Sequence, residues 1–353
     1  MLDCLNPVNF ALPHFFYELM KQIKLSTEVS IIPSEWKISH NSKILTIGSC
    51  FADVLGRQLS NYKFPVLNNP LGNIFNPLAI TRILDFALEG KLPNPALYLQ
   101  DSDHIWFHHD FHSSQWSHDR KGLEMKLIGK LNTVREFLKS SDILVITLGT
   151  AYAYRHRQSN MIVGNCHKMP GDNFVKELLH PDQINMALEQ LILKLQSLQR
   201  NLRIVLTVSP VRHTRDTLPL NQVSKSTLRL VCHRLSEKFK QVEYFPSYEI
   251  MIDELRDYRF YEEDLIHPNG IAEDIILNAF TRSFIDTASL TFMKEWDAIR
   301  QMMLHRPMHG LTKSQLRLLQ SIHAKLLAIS ENTDVSTELR DIEKRIQEFS
   351  DLQ

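Results

Sequence analysis

Five short apolar runs constrain this chain more than any other feature: KILTI at 43–47, FPVL at 64–67, ILVITLG at 143–149, RIVLTV at 203–208 and VEYFP at 242–246. Most are too uniformly apolar for strands with one face in water, so they read as strands covered on both sides. Amphipathic helices follow or separate them. Phe51, Val54, Leu55 and Leu59 make one face of the first, and Ile184, Leu188, Leu191, Leu195 and Leu198 make another over about 182–200. Leu228, Leu235 and Phe239 mark a third, and Ile271, Ile275, Ala279 and Phe280 a fourth. This alternation predicts a parallel sheet with helices on both faces.

With 353 residues, 43% of them hydrophobic, the chain can bury a full core and supports one large or two modest domains. Residues 1–41 read as an N-terminal extension packed by Phe10, Phe15 and Phe16, and 42–287 as the main domain. The stretch near 90–140, rich in Pro, His and Trp, interrupts the rhythm and is expected as an insertion at the edge or mouth of the sheet. From 288 to 353 the pattern is helical only, with Phe292, Trp296, Ile299 and Met303, then Leu339, Ile342, Ile346 and Phe349, at helical spacing. This is expected to be a C-terminal helical appendage.

Forty basic and forty acidic residues cancel, with no long basic run, so nucleic acid and anionic membrane surfaces are not the expected partners. No apolar stretch is long enough to span a bilayer, and the first residues lack the pattern of a secretory signal. A cytoplasmic protein is the expectation. Cys4, Cys50, Cys166 and Cys232 stand apart, which argues against a disulfide framework or a structural zinc site.

Ligands of an open parallel sheet bind beyond the carboxyl ends of its strands, and the residues there are unusually polar. The first run ends in Gly48-Ser49-Cys50. The second leads into NNPLGNIFNP with Asn69, Gly72 and Asn73; the third ends in Gly149-Thr150-Ala151; the fourth ends in SPVRH with Arg212 and His213. The fifth leads on to Asp264 and His267.

The GSCFA string, LGTAYAY, NCHK, TVSPVRH and DELRDYRFYEEDLIHP, in this order, resemble the GSCFA-domain family, which is similar to the SGNH or GDSL-type hydrolases. The resemblance covers about residues 42–285. It implies a three-layer α/β/α, flavodoxin-like domain and a nucleophile, histidine and carboxylate mechanism. His267 is then the base and Asp264 its orienter. Without a gap, the Gly-Asp-Ser motif of the relatives sets Cys50 on the attacking serine and Ser49 on the aspartate. Ser49 is the nucleophile instead if the turn is one residue shorter; otherwise it is expected to cap the helix. A cysteine suits the place, because a helix N-terminus favours thiolate. The oxyanion donors implied are the amides of the nucleophile and of Gly72. The usual asparagine donor is missing, since Ala151 stands there, and Thr150, Asn73 and Asn165 are the candidates to replace it.

Arg212 suits either a substrate carboxylate, phosphate or hydroxyl, or an ion pair with the acidic 253–264 segment. His104, His108, His109, His112 and His118 are expected to line a lid, with no metal site and no cofactor required. The function expected is an esterase or O-acyltransferase on a small-molecule or glycan ester. A non-catalytic glycan-binding module and a metal-dependent hydrolase that uses the histidines are the rivals.

Overall fold

The computed structural model describes residues 26–305, 312–331 and 333–350. Phe10, Phe15 and Phe16 lie outside the described residues, as does the side chain of Phe349.

The strands are β1 (Ile44–Gly48), β2 (Val66–Asn68), β3 (Tyr98–Gln100), β4 (Trp106–His108), β5 (Ile143–Leu148), β6 (Tyr152–His156), β7 (Met161–Val163), β8 (Phe174–Leu178), β9 (Arg203–Val208) and β10 (Val242–Phe245). The helices are α1 (Cys50–Asn61), α2 (Pro77–Glu89), α3 (Arg120–Leu138), α4 (Pro181–Leu198), α5 (Leu218–Lys238), the turn α6 (Ser247–Glu249), α7 (Gly270–Phe284), α8 (Thr287–Leu304), α9 (Lys313–Ser330) and α10 (Ser336–Ser350).

The five apolar runs are the five strands of the main sheet, all parallel, in the order β10-β9-β5-β1-β2. Counted along the chain this is 2-1-3-4-5, the flavodoxin-like order, with the sequence reversing direction at β1. The strands sort their side chains by alternation. Leu45, Ile47, Leu144, Ile146, Leu148, Ile204, Leu206 and Val208 share one core with α2, α3, α4 and α5. Ile44, Ile143, Val145, Val205 and Phe245 share a second with α1 and α7. Both faces are therefore dry, which is why the runs lack polar alternation.

Two expectations change. The 90–140 stretch is not wholly an insertion: its second half is α3, whose Leu123, Leu127, Leu131, Val134 and Leu138 are buried in the main core. Only the β3–β4 hairpin and the histidine-rich loop stand outside the layers. In α7 the buried stripe runs through Ala272, Ile276, Leu277 and Phe280, while Ile271 is 63% exposed, because the helix begins at Gly270 and turns its first residue outward. A three-stranded antiparallel sheet, β7-β6-β8, fills the β5–α4 connection.

Helices α8 to α10 form their own core around Trp296, Ile299, Leu319, Ile322, Leu326 and Ile342. They dock on the far end of α1. Trp296 Nε1 donates to the Asn61 carbonyl (2.7 Å), the Tyr62 hydroxyl to Asp297 (2.8 Å), and Lys63 to Glu338 (2.7 Å). No helix among the described residues is long and apolar enough to cross a membrane.

Candidate active site

The turn after β1 is made by backbone constraints. Gly48 has φ +129°, and a Cβ there would overlap the Thr147 carbonyl oxygen, so only glycine fits. The Ser49 amide donates to that same carbonyl (3.0 Å), which stitches the turn to β5, and the chain then enters α1 at Cys50.

Ser49 and Cys50 differ sharply in surroundings. Ser49 holds the N-cap position, but its hydroxyl makes no capping bond; it is 1% exposed and its Oγ has no partner among the described residues. The expected cap is absent because the amide of Ala52, which the hydroxyl would have taken, donates to the carbonyl of Ser49 at 2.8 Å. Cys50 is only partly buried. Burial pushes its thiol above the usual range, while the Lys225 charge and the amides of Phe51 and Cys50 pull it down.

The loop after β2 is bound to this turn through Asn69, in the left-handed region at φ +36°. Its Oδ1 accepts from the Gly48 amide (3.2 Å), and its Nδ2 donates to Asn73 Oδ1 (2.9 Å). Asn73 is left with an amide NH2 that has no partner among the described residues. The Gly72 amide, expected as an oxyanion donor, donates instead to the Asn69 carbonyl (2.9 Å), because the loop closes in a tight turn there. Gly72, at φ +79°, packs against His112.

On the loop before α7, His267 Nδ1 bonds Asp264 Oδ2 at 2.7 Å. Asp264 Oδ1 accepts from the amides of Ile266 (2.8 Å) and His267 (3.0 Å). The His267 amide, its ring and the Ile266 amide hold the Asp264 carboxyl down at about 2. Both side chains are close to half exposed. No hydrogen bond joins His267 to Cys50 or Ser49, so the other ring nitrogen is free for a substrate or an attacking group.

Of the two alternatives expected of Arg212, the ion pair with the acidic 253–264 segment does not form among the described residues. The Arg212 amide donates to the Ile266 carbonyl (3.2 Å), its guanidinium donates to the Leu265 carbonyl, and the guanidinium stacks 4.3 Å from the centre of the Tyr261 ring. It clamps the loop that carries His267. A cleft of about 270 Å³ opens beside it, lined among others by Arg212, Tyr248, Tyr258 and Tyr261. Next to Arg212, burial holds His213 down at about 4, and Lys225 adds to the effect.

Thr150 and Asn165 are occupied elsewhere. Thr150 Oγ1 bonds Ser224 (2.9 Å) and accepts from the Tyr152 amide (3.0 Å). The Asn165 carbonyl bonds His109 Nδ1 (2.8 Å), and its side chain caps the His167 amide (2.8 Å). His108 and His112 do not share a helix: His108 ends β4 and is fully buried. Among the described residues no group of three or more His, Cys, Asp or Glu side chains is placed to hold a metal ion.

Sequence reasoning missed Lys225. It lies on α5, is 1% exposed, and its Nζ donates to the carbonyls of Gly149 and Ser209, each at 2.8 Å. Burial lowers its pKa to about 7. A lysine within a helix normally signals solvent, and only the three-dimensional packing reveals otherwise.

Comparison with curated proteins finds no match. Among solved structures, the chain is similar to a carbohydrate esterase family 2 enzyme with a carbohydrate-binding domain from Corynascus (Myceliophthora fergusii), at 17% identity and TM-score 0.28, covering 43% of this chain but only 38% of that one. It is similar to an acetylxylan esterase from Geobacillus stearothermophilus (15% identity, TM-score 0.35, 71% of this chain and 99% of that one). It is also similar to a family 3 carbohydrate esterase from Clostridium thermocellum (12%, TM-score 0.32, 72% and 98%). The model of the GSCFA family matches residues 43–280, more than half of the chain and every residue of the rim just described. That of the GSCFA domain protein C-terminal domain matches 296–348, which brings in the appended helices that the motif strings did not reach. The chain is a member of the GSCFA family.

Proposed function

We propose that this protein is an ester hydrolase of the SGNH type working through a covalent thioester, with an O-acylated carbohydrate as substrate. The observation that carries the reading is the 2.7 Å Asp264–His267 pair, with a free imidazole nitrogen, on the same rim as a thiol at the first turn of α1. Cys50 is favoured over Ser49 because it is the accessible one of the two and lies against helix amides, whereas the Ser49 hydroxyl is buried.

In this reading His267 takes the thiol proton as Cys50 sulfur adds to the ester carbonyl, and Asp264 fixes the imidazole tautomer and stabilises the imidazolium. The carbonyl oxygen becomes an oxyanion held by the Cys50 amide and by the uncommitted amide group of Asn73. The tetrahedral adduct expels the alcohol, which receives its proton from His267, and leaves an acyl group on sulfur. Water, deprotonated by His267, then releases the acid and regenerates the thiol. An alcohol in place of water would make the enzyme an acyltransferase. The carbohydrate assignment is supported by the cleft beside Arg212, lined by Tyr248, Tyr258 and Tyr261, where the 61% exposed Tyr258 offers an aromatic contact to a sugar.

The test is mass spectrometry of the intact protein after brief exposure to activated acyl esters and to O-acetylated oligosaccharides. One acyl group on the Cys50 peptide, lost on incubation in water, is the expected result. Absence of both adduct and turnover across the panel would leave a sugar-binding module without chemistry.

A further inference from the structure

The cleft of about 270 Å³ beside the His267 loop has Arg212, Arg256 and Asp257 as the charged residues of its lining. Two of these are neutralised by neighbours in the chain. Arg256 pairs with Asp253 at 2.6 Å and Asp257 with Arg259 at 2.8 Å, while the other Asp257 oxygen accepts from the Arg259 amide at 2.9 Å. Arg212 is different. Among the described residues no carboxylate pairs with its guanidinium; one side-chain hydrogen bond goes to the neutral Leu265 carbonyl, and Nε is buried with no partner. The rings of Tyr261 and Tyr258, with centres 4.3 Å and 5.4 Å away, hold the guanidinium in place but carry no full charge. A guanidinium has five N–H donors, so most of those of Arg212 are unspent.

The rest of the wall supplies a donor and apolar surface in place of an acid. The Tyr248 hydroxyl donates to Gln222 Oε1 at 2.7 Å, so the carbonyl of that side chain is taken and its NH2 is the group left to offer. Leu218, Met251 and Tyr258 complete an apolar side. One uncompensated cation, an amide donor and aromatic surface suit an anionic group carried on a compact, partly apolar body such as a sugar ring. A neutral sugar in the same place would cover the guanidinium without meeting its charge, and that difference is the source of discrimination.

We propose that Arg212 is a specificity-determining residue that binds an anionic group of the substrate in this cleft, so that the acylated carbohydrate is an acidic one, bearing a carboxylate or a phosphate. The inference rests on the reading that the cleft takes the sugar of the substrate. The same arginine is fastened to the loop of the base: its amide donates to the Ile266 carbonyl at 3.2 Å and its guanidinium to that of Leu265, the two residues before His267. Selection of the substrate and presentation of the base thus share one side chain.

The experiment reads binding without any ester. NMR titration of the protein compares methyl glucoside, methyl glucuronide and a glucose phosphate, in the wild type and in Arg212→Gln, which keeps a donor for the Leu265 carbonyl but no charge. At least one acidic sugar should bind about tenfold or more tighter than the glucoside, and the variant should lose that preference. The tighter of the two acidic sugars names the anionic group. Equal binding of all three, binding of none, or a preference that persists in folded Arg212→Gln overturns the proposal. If Arg212→Gln does not fold, Gln222→Glu takes its place: it keeps an acceptor for the Tyr248 hydroxyl and adds a negative charge to the cleft wall, so an undiminished preference there overturns the proposal as well. The O-acetylated forms of the same sugars separate the two readings. An acidic preference in binding with neither turnover nor acyl-enzyme sinks the esterase reading alone, and equal kcat/KM for acidic and neutral esters, with equal binding, sinks this inference alone.

Discussion

Asp264 grips His267 twice: one carboxylate oxygen takes the ring Nδ1 at 2.7 Å, and the other takes the amide of the same residue at 3.0 Å. The ring is thereby set by its own backbone as well as by its acid. Asp264→Asn replaces an acceptor with a group that can favour the wrong tautomer, and should lower kcat by about a hundredfold or more with an unchanged circular dichroism spectrum. His267→Ala should abolish turnover of the same ester.

The depressed Asp264 pKa also carries a sign. A carboxyl held below its unfolded value adds stability that is fully present above that value and is lost as pH falls through about 2. The pair is therefore intact at pH 4. Acid loss of activity above that point must come from groups other than the Asp264 carboxyl. Because Asp264 stabilises the imidazolium, Asp264→Asn should move the acid limb of the kcat/KM profile to lower pH, and an unmoved limb would show that the pair does not govern it.

Ser49→Ala should cost little. The hydroxyl is buried without a partner among the described residues, so its removal relieves an unsatisfied polar atom instead of breaking a cap. Thermal denaturation should place it within about 0.5 kcal/mol of the wild type or above it, with activity retained, while Cys50→Ala is folded and inactive. A folded, dead Ser49→Ala beside an active Cys50→Ala would exchange their roles.

Gly48→Ala should fail for a backbone reason. At φ +129° against the Thr147 carbonyl, the added methyl forces β1 and β5 apart or rebuilds the turn. A loss of about 1–3 kcal/mol of stability and of nearly all Cys50 acylation is expected. Near-wild-type values in both measurements would mean that the turn tolerates another geometry.

Trp296→Ala should separate stability from chemistry. The indole is 2% exposed and donates to the Asn61 carbonyl at the end of α1 remote from Cys50. Truncation should cost about 3–5 kcal/mol and leave turnover per folded molecule near that of the wild type. Activity lost below the melting transition would tie the helical bundle to the site.

Much of the frame was legible because it is local. Each strand of the main sheet is a run whose apolar residues have nowhere to go but inward, and Asp264 and His267 sit three apart in a loop, where spacing alone brings them into reach. The misreadings have physical sources. Leu123, Leu127, Leu131, Val134 and Leu138 do recur at helical spacing, but charged neighbours and the Pro, His and Trp content upstream hid them. Strands β6, β7 and β8 are short and in part exposed, so little periodicity marks them. Gly72 looked free because sequence does not show that its amide closes a turn, and Lys225 looked solvated because its burial depends on three elements remote in the chain.

Helix α1 is a single rod of twelve residues, about 18 Å long. Its first residue is Cys50, and its far end is held by the bundle through Asn61, Tyr62 and Lys63. A rod that is pinned at one end cannot slide along its axis. The three anchors thus act as a depth stop that backs up the Gly48 turn at the other end, so the thiol keeps its height in the mouth when a single anchor is lost.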